Sequence, residues 1–376
     1  MNYLLRRERI LAAAGQTVHG VFIQDPDTIF YLTGYEAVIN SRSVGLFMSS
    51  RKTVLIVPAL AGAGAKAGSN VSDFALYYEQ PEYHPACLSL YACLIRILKE
   101  EPFRGVLGVD YQKLPVADLQ TLKQYGVQTE DVSGILGAAR SIKEIDEQTA
   151  ISTAAHFADF CISATLDAIK PGMTELFVEQ QGIMSLTREV ESRLSGAGLK
   201  CFTMTQSGAA RTAMPHVHTG GRILQPGDGV VLCRQVAVNG YRAQCDRTIF
   251  LERLANEQRK YYSLVLAAQE AALETVRPGI PACKIEERVR DLFAQAGVAK
   301  YFIHRVGHGF GISMAEAPYL RFDSQERIEE NMILVIQPAL YIPEIGGFRC
   351  SDTILVQNSG NTILTKYPRD IASLTL

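Results

Sequence analysis

The sequence predicts a two-part protein, a small α/β unit over residues 1–135 and a larger α+β unit over 136–376. Two observations carry this. In the first part, short apolar runs bounded by turn residues alternate with helical stretches. In the second, helices come in blocks and hairpin strands come in blocks, the α+β pattern rather than that of a doubly wound sheet. A length of 376 residues agrees, since domains run to roughly 150 residues each.

The first part places strands at Val18–Ile23, Val44–Met48, Val54–Val57, Phe74–Tyr77 and Val106–Val109, and a helix over Ala86–Lys99. A long helix then starts around Ser141–Glu144. Its apolar stripe is Ile151, Ala155, Ala158, Ile162, Leu166 and Ile169, at steps of three or four, and Pro171-Gly172 stops it. Two further helices, Asn256–Val276 and Ala282–Ala296, end before Pro278-Gly279 and Gly297. Strands are expected at Val230–Val238, Tyr241–Leu251, Ile333–Leu340 and Thr353–Val356. Asn239-Gly240 forms the tip of a hairpin between the first two, because both residues tolerate the positive φ such turns need.

Composition excludes several functions. Lys and Arg number 37 against 39 Asp and Glu, a net charge of −2, with no basic cluster beyond Arg6-Arg7. That argues against a nucleic-acid binder. No apolar run approaches the ~20 residues of a membrane span, and Arg6, Arg7, Glu8 and Arg9 interrupt the start, so no secretory signal is read there. The expectation is a cytoplasmic protein without membrane or nucleic-acid partners. The eight cysteines show no CxxC spacing, so they suggest small buried side chains rather than a disulfide framework or zinc knuckle.

Five segments of the second part, taken in order, carry a resemblance. They are Ser207-Gly208 through Pro215-His216, Gly227-Asp228, and Asn239-Gly240-Tyr241 through Arg247-Thr248. After them come Gly307-His308-Gly309-Phe310-Gly311 with Glu316-Ala317-Pro318-Tyr319, and Pro338-Ala339-Leu340-Tyr341 through Gly347-Phe348-Arg349. The set resembles the pita-bread superfamily of aminopeptidase P, prolidase, methionine aminopeptidase and creatinase. Ile29–Gly34 is similar to the "YLTG" strand of the creatinase-type N-terminal domain. The resemblance implies a pita-bread domain preceded by a smaller creatinase-like domain, and a homodimer in which the N-terminal domain reaches the other subunit's cleft.

The family's metalloenzymes hold two divalent ions with two Asp, one His and two Glu. Aligned on Gly240-Tyr241, those positions fall on Cys233, Gln244, His308, Gln337 and Ser351. Carboxylates hold such a pair because anionic oxygens offset the metals' charge and bridge them. With one of five ligands retained, the resemblance implies a member without metal or other cofactor. Strand alternation turns Cys245 and Cys350 away from the site, leaving too few ligands for zinc.

What the resemblance implies in place of metal is a creatinase-like set. His216, after Pro215, matches the histidine creatinase uses as acid and base, and His308 matches a second retained histidine. Asp246 matches the acid that grips a cationic substrate, though it could equally pair with Arg349 as a buried ion pair. Cys233, Gln244, Gln337, Arg349, Ser351 and Glu316 are the expected substrate-side groups, with Tyr319 and Arg321 beside Glu316. Cys233 is open to two readings, a thiol nucleophile if a histidine lies in reach or a small residue filling a lost carboxylate's space. His218 and His304 are expected to line or support the cleft, and Arg234 and Arg242 to form a solvated or dimer-facing pair. The main expectation is a metal-independent hydrolase of a C–N bond in a small nitrogenous metabolite, as in creatinase and ectoine hydrolases, with His216 as general acid and base. The alternatives are a metal-dependent Xaa-Pro peptidase and a binding module with dead chemistry.

Overall fold

A computed structural model describes residues 1–38, 41–82, 87–100 and 105–376. It divides into units Met1–Arg140 and Ser141–Leu376.

The N-terminal unit runs α1 (Tyr3–Ala14), β1 (Val18–Ile23), α2 (Pro26–Thr33), β2 (Gly45–Met48), β3 (Thr53–Pro58), α3 (Gly62–Gly68), β4 (Asp73–Tyr77), α4 (Leu90–Glu100), β5 (Val106–Val109), α5 (Val116–Gln124), β6 (Thr129–Asp131) and α6 (Ser133–Ser141). Its strands form one mixed sheet in the order β4-β3-β2-β1-β5-β6. Phe22, Phe47, Ile56 and Leu107 pack with Leu94 of α4 in one apolar core. Ala86, the expected start of α4, lies outside the described residues.

Ile29–Gly34, expected as a strand, is instead most of helix α2. Local capping decides this against the β-propensity of Ile, Phe and Tyr. Asp25 Oδ2 accepts from the Thr28 amide at 3.0 Å, Pro26 opens the helix where its missing N–H costs nothing, and Gly34 ends it in the left-handed region at φ 78°.

The second unit begins with α7 (Ile145–Ala168), α8 (Glu175–Arg193), β7 (Leu199–Ser207), α9 (Gly208–Thr212), β8 (Gly229–Val238) and β9 (Tyr241–Phe250). It continues with α10 (Asn256–Thr275), α11 (Cys283–Gln295), β10 (Gly307–Gly309), β11 (Glu316–Leu320), β12 (Ile333–Ile336), β13 (Ala339–Ile342), β14 (Gly346–Arg349), β15 (Asp352–Leu355) and β16 (Thr362–Ile363). Three antiparallel groups result, β7-β8-β9, β11-β10-β12-β15-β16 and the β13-β14 hairpin. Helices α7 and α8 bury one face of β8 and β9 through Ile162, Val178, Leu186, Leu232, Cys245 and Ile249. Helices α10 and α11 cover a second core around Leu334, Ile336, Phe348 and Cys350.

Two features position the site. Asn239 and Gly240 turn the β8–β9 hairpin at φ 49° and 83°, fixing a register that sets Cys233 opposite Asp246 and Gln235 opposite Gln244. The strand expected over Ile333–Leu340 is broken between β12 and β13, because Pro338 has no N–H for a ladder. Gln337 sits at that break. Among the described residues, no helix is long and apolar enough to cross a membrane.

Candidate active site

One face of β8 and β9 meets α7 and α8, so alternation sends Cys233, Gln235, Gln244 and Asp246 to the other. Asp246 is fully buried and bridged to Ser351 through the backbone, its N–H donating to Ser351 O at 3.2 Å and its carbonyl accepting from Ser351 N at 3.1 Å. Gln244 lies across this pair. Its Nε2 donates to Asp246 Oδ2 at 2.7 Å, to Gln337 Oε1 at 3.0 Å and towards Ser351 Oγ at 3.3 Å. Its Oε1 accepts from Gln235 Nε2 at 2.8 Å.

A carboxylate only accepts, so Asp246 fixes which way Gln244 points. Gln244 in turn orients Gln235 and Gln337.

Arg349 supplies the fixed cation. Its Nη1 stands 3.7 Å from Asp246 Oδ2, the ion pair expected as one option. Nη2 and Nε donate to the Tyr341 hydroxyl at 2.6 and 3.1 Å. That hydroxyl lies 3.0 Å from His304 Nε2, while His304 Nδ1 lies 2.8 Å from the Arg305 carbonyl. A carbonyl cannot donate, so Nδ1 carries the proton and Nε2 accepts from Tyr341. Burial, then the Arg349 charge, pull the His304 pKa down to about 3.

His308 is held the same way, Nδ1 donating to the Gly309 carbonyl at 2.9 Å and leaving Nε2 as the lone-pair nitrogen. Burial above all lowers its pKa to about 4. Its flanking glycines are required by close approach. A Cβ on Gly307 would sit 2.0 Å from Val335 O, and one on Gly309 2.1 Å from Ala317 O.

His216 stands exposed on the segment between α9 and β8. Partial burial, then the Arg349 charge, lower its pKa, which favours the neutral ring. Glu175 anchors the stretch 207–220, which carries His216, at both of its ends. Its Oε1 accepts from Ser207 N and Oγ at 2.7 Å and from Arg211 Nε at 2.9 Å, and its Oε2 from Gly220 N at 3.1 Å.

A cavity of about 690 Å³ opens over this arrangement. His216, Cys233, Gln244, His308, Gln337 and Arg349 line it, together with Gln235, His304 and Arg321. Asp246 and Ser351 lie behind Gln244. Glu316 is off the cavity wall and accepts from Lys143 Nζ at 2.9 Å. Tyr319 lies under the Arg305 guanidinium, and His218 stands exposed, offering Arg211 its carbonyl. Burial, then Asp246, push the Cys233 thiol well above its usual pKa, so it stays protonated and is a poor nucleophile. Cys245 and Cys350 point into the two cores, away from the cavity.

Arg234 corrects an expectation. It is neither solvated nor dimer-facing but fully buried on the helix side, donating to the Met204 and Cys233 carbonyls at 2.9 Å each and to Thr205 Oγ1 at 2.9 Å. One step along the strand from Cys233 puts it on the opposite face. Arg242 is half-buried, with Nε donating to the Ile312 carbonyl at 2.7 Å.

Sequence reasoning missed Gln235, Tyr341 and Glu175. Gln235 was within reach of the alternation that placed Asp246 beside Gln244, being two residues beyond Cys233. Glu175 gives no local signal, since its partners are 32 to 45 residues away.

Among the described residues, no group of three or more His, Cys, Asp or Glu is placed to hold a metal ion. The Creatinase/Prolidase N-terminal domain matches residues 6–142, and metallopeptidase family M24 matches residues 149–358. The chain belongs to metallopeptidase family M24. Its fold is the creatinase-type N-terminal domain followed by the M24 pita-bread domain, and it is a hydrolase acting on C–N bonds.

Known proteins match over nearly their whole length. A protein named putative dipeptidase YkvY, from Bacillus subtilis, is 29% identical over 100% of both chains. An Xaa-Pro dipeptidase of Pyrococcus horikoshii is 26% identical over 94% of this chain and 95% of its own. The crystal structure of the prolidase from Pyrococcus horikoshii OT3 superposes with a TM-score of 0.85 at 26% identity, covering 98% of this chain and 99% of that one.

Proposed function

We propose that this M24 member hydrolyses the C–N bond of a dipeptide-sized substrate of the Xaa-Pro kind, and does so without a dinuclear divalent centre. Relatives named dipeptidase and Xaa-Pro dipeptidase support the substrate class over the creatinase-like metabolite expected from sequence. A cavity of about 690 Å³ is in the range that encloses a small ligand.

The observation that carries the metal-free reading is the hydrogen-bonded state of Gln244. A dinuclear centre asks for anionic oxygens. Here the second Asp position is an amide whose N–H groups face Asp246 and Gln337, and the first is the high-pKa thiol of Cys233. Gln337 and Ser351 are neutral, and the Arg349 cation already stands beside Asp246. This donor set does not fit two divalent ions.

In this reading the neutral His216 takes a proton from water as the water oxygen bonds to the carbonyl carbon, then returns it to the nitrogen as the C–N bond breaks. Arg349, with the Gln337 amide, offers N–H groups to the oxygen where charge develops, preorganised by the Asp246 network. His304 and His308, neutral and fixed in one tautomer, complete the polar wall. Asp246 acts on the substrate through Gln244 and Arg349.

A second reading, a metal-dependent Xaa-Pro peptidase, is favoured by the family's description as metallopeptidases together with the relatives' names. One experiment separates the two. Alanyl-proline and glycyl-proline are assayed with and without chelator, and the purified protein is analysed for metals. Hydrolysis that survives chelation in metal-poor protein is expected. Stoichiometric divalent metal, or activity abolished by chelator and restored by Mn, Co or Zn, supports the second reading instead. We further propose a homodimer, on family analogy, which light scattering at micromolar concentration tests.

A further inference from the structure

We infer that Gln235 forms a donor-accepting subsite in this cavity, one that binds the N–H of a ligand's primary ammonium through Oε1. The side chain lines the cavity and is 7% exposed. Its Nε2 is committed to Gln244 Oε1 at 2.8 Å, whereas Oε1 is buried without a hydrogen-bond partner among the described residues.

The amide cannot remedy this by flipping. Turning Oε1 towards Gln244 would set it against another carbonyl oxygen, and Gln244 is held by Asp246, which only accepts. An acidic residue two hydrogen bonds away therefore dictates that Gln235 presents an acceptor.

A buried acceptor left unpaired is destabilising, and a ligand N–H relieves it. This also says which ligand group belongs there. The nitrogen of an Xaa-Pro bond has no hydrogen, so within the dipeptide reading, on which this identification rests, the donor is the substrate's α-ammonium. In place of a metal ion, the chain would hold the amine end by a neutral amide backed through Gln244 by Asp246.

Calorimetric titration of the full-length protein tests this with alanyl-proline and propanoyl-proline, which differ by replacement of the ammonium with hydrogen. The wild type is expected to prefer alanyl-proline about ten- to a hundredfold, the range for a hydrogen bond to a charged group. In Gln235→Leu and Gln235→Met that preference should collapse towards one. The ratio within each variant is unaffected by a general loss of stability. Equal preference in wild type and variants, or none in wild type, overturns the proposal.

If neither dipeptide binds, the dipeptide reading fails. The subsite is then decided by propylammonium against tetramethylammonium, which carries the same charge without an N–H, followed by NMR. A wild-type preference for propylammonium that Gln235→Leu abolishes supports the subsite; no preference overturns it. Should both variants fail to fold, a crystal structure of the wild type with the bound probe decides. Nitrogen within hydrogen-bond distance of Gln235 Oε1 supports the proposal, and nitrogen elsewhere sinks it.

Discussion

Arg349 and Tyr341 are joined by two hydrogen bonds, Nη2 at 2.6 Å and Nε at 3.1 Å, both accepted by one phenolic oxygen. Because that oxygen accepts twice from a cation, its own proton is directed to His304 Nε2, 3.0 Å away. The relay runs one way, from guanidinium to phenol to imidazole. It keeps a buried positive charge in place beside Asp246 where a buried cation would otherwise be expelled.

Tyr341→Phe tests the relay. The change removes the acceptor of two guanidinium N–H groups and the donor to His304 while keeping the ring's packing. Leaving such groups buried and unpaired costs about 1–3 kcal/mol, to be measured as a fall in the urea midpoint at unchanged slope. An unchanged midpoint would mean that Arg349 is held by Asp246 alone.

His216→Ala should abolish hydrolysis, by about a hundred- to ten-thousandfold, because a general acid and base is lost. Cys233→Ser should keep most activity, since the buried thiol is protonated. The acid limb of the wild-type rate profile should lie below the ordinary imidazole value of about 6.5, as His216 must be neutral to accept a proton and its pKa is lowered. A dead Cys233→Ser with a covalent adduct on Cys233 would replace this with thiol chemistry.

Glu175→Gln should loosen the segment that carries His216. The carboxylate takes hydrogen bonds from Ser207, Arg211 and Gly220, and an amide cannot accept them all. Bonds to charged groups contribute about 1.5–3 kcal/mol each, so stability falls by an amount of that order. Limited proteolysis should cut between residues 208 and 220 sooner in the variant than in the wild type. Equal cutting would show that the segment is held by other contacts.

How far the sequence could be read follows the range of each interaction. Alternation along β8 and β9 depends only on neighbouring residues, so the shared face of Gln244 and Asp246 and the inward turn of Cys245 were legible. The same rule, applied to Arg234, would have buried it, but its partners on β7 lie near residue 205 and are not predictable from spacing. Helix α2 was legible in Asp25-Pro26 and Gly34, yet its apolar core residues suit a strand equally well. The orientation of Gln235 depends on Gln244 and, through it, Asp246. Such a chain of consequences needs coordinates.

The pH dependence of stability follows from His308, 4% exposed and lowered to about 4, by burial first and with the Arg305 charge also opposing protonation. In the unfolded chain its pKa returns to about 6.5. Above that value both states hold a neutral ring, and its contribution to stability is fully present. As pH falls from about 6.5 towards 4 the unfolded chain binds a proton that the folded protein refuses, so stability is lost at up to about 1.4 kcal/mol per pH unit. Below about 4 the folded ring protonates too and its share of the slope ends. Carboxylates titrate in the lower part of the same window, so the test is a difference. His308→Gln, whose amide can still donate to the Gly309 carbonyl, should be flatter than wild type between about pH 6.5 and 4 in urea unfolding. Parallel slopes for the two proteins would mean that His308 takes up its proton in the folded state as readily as in water.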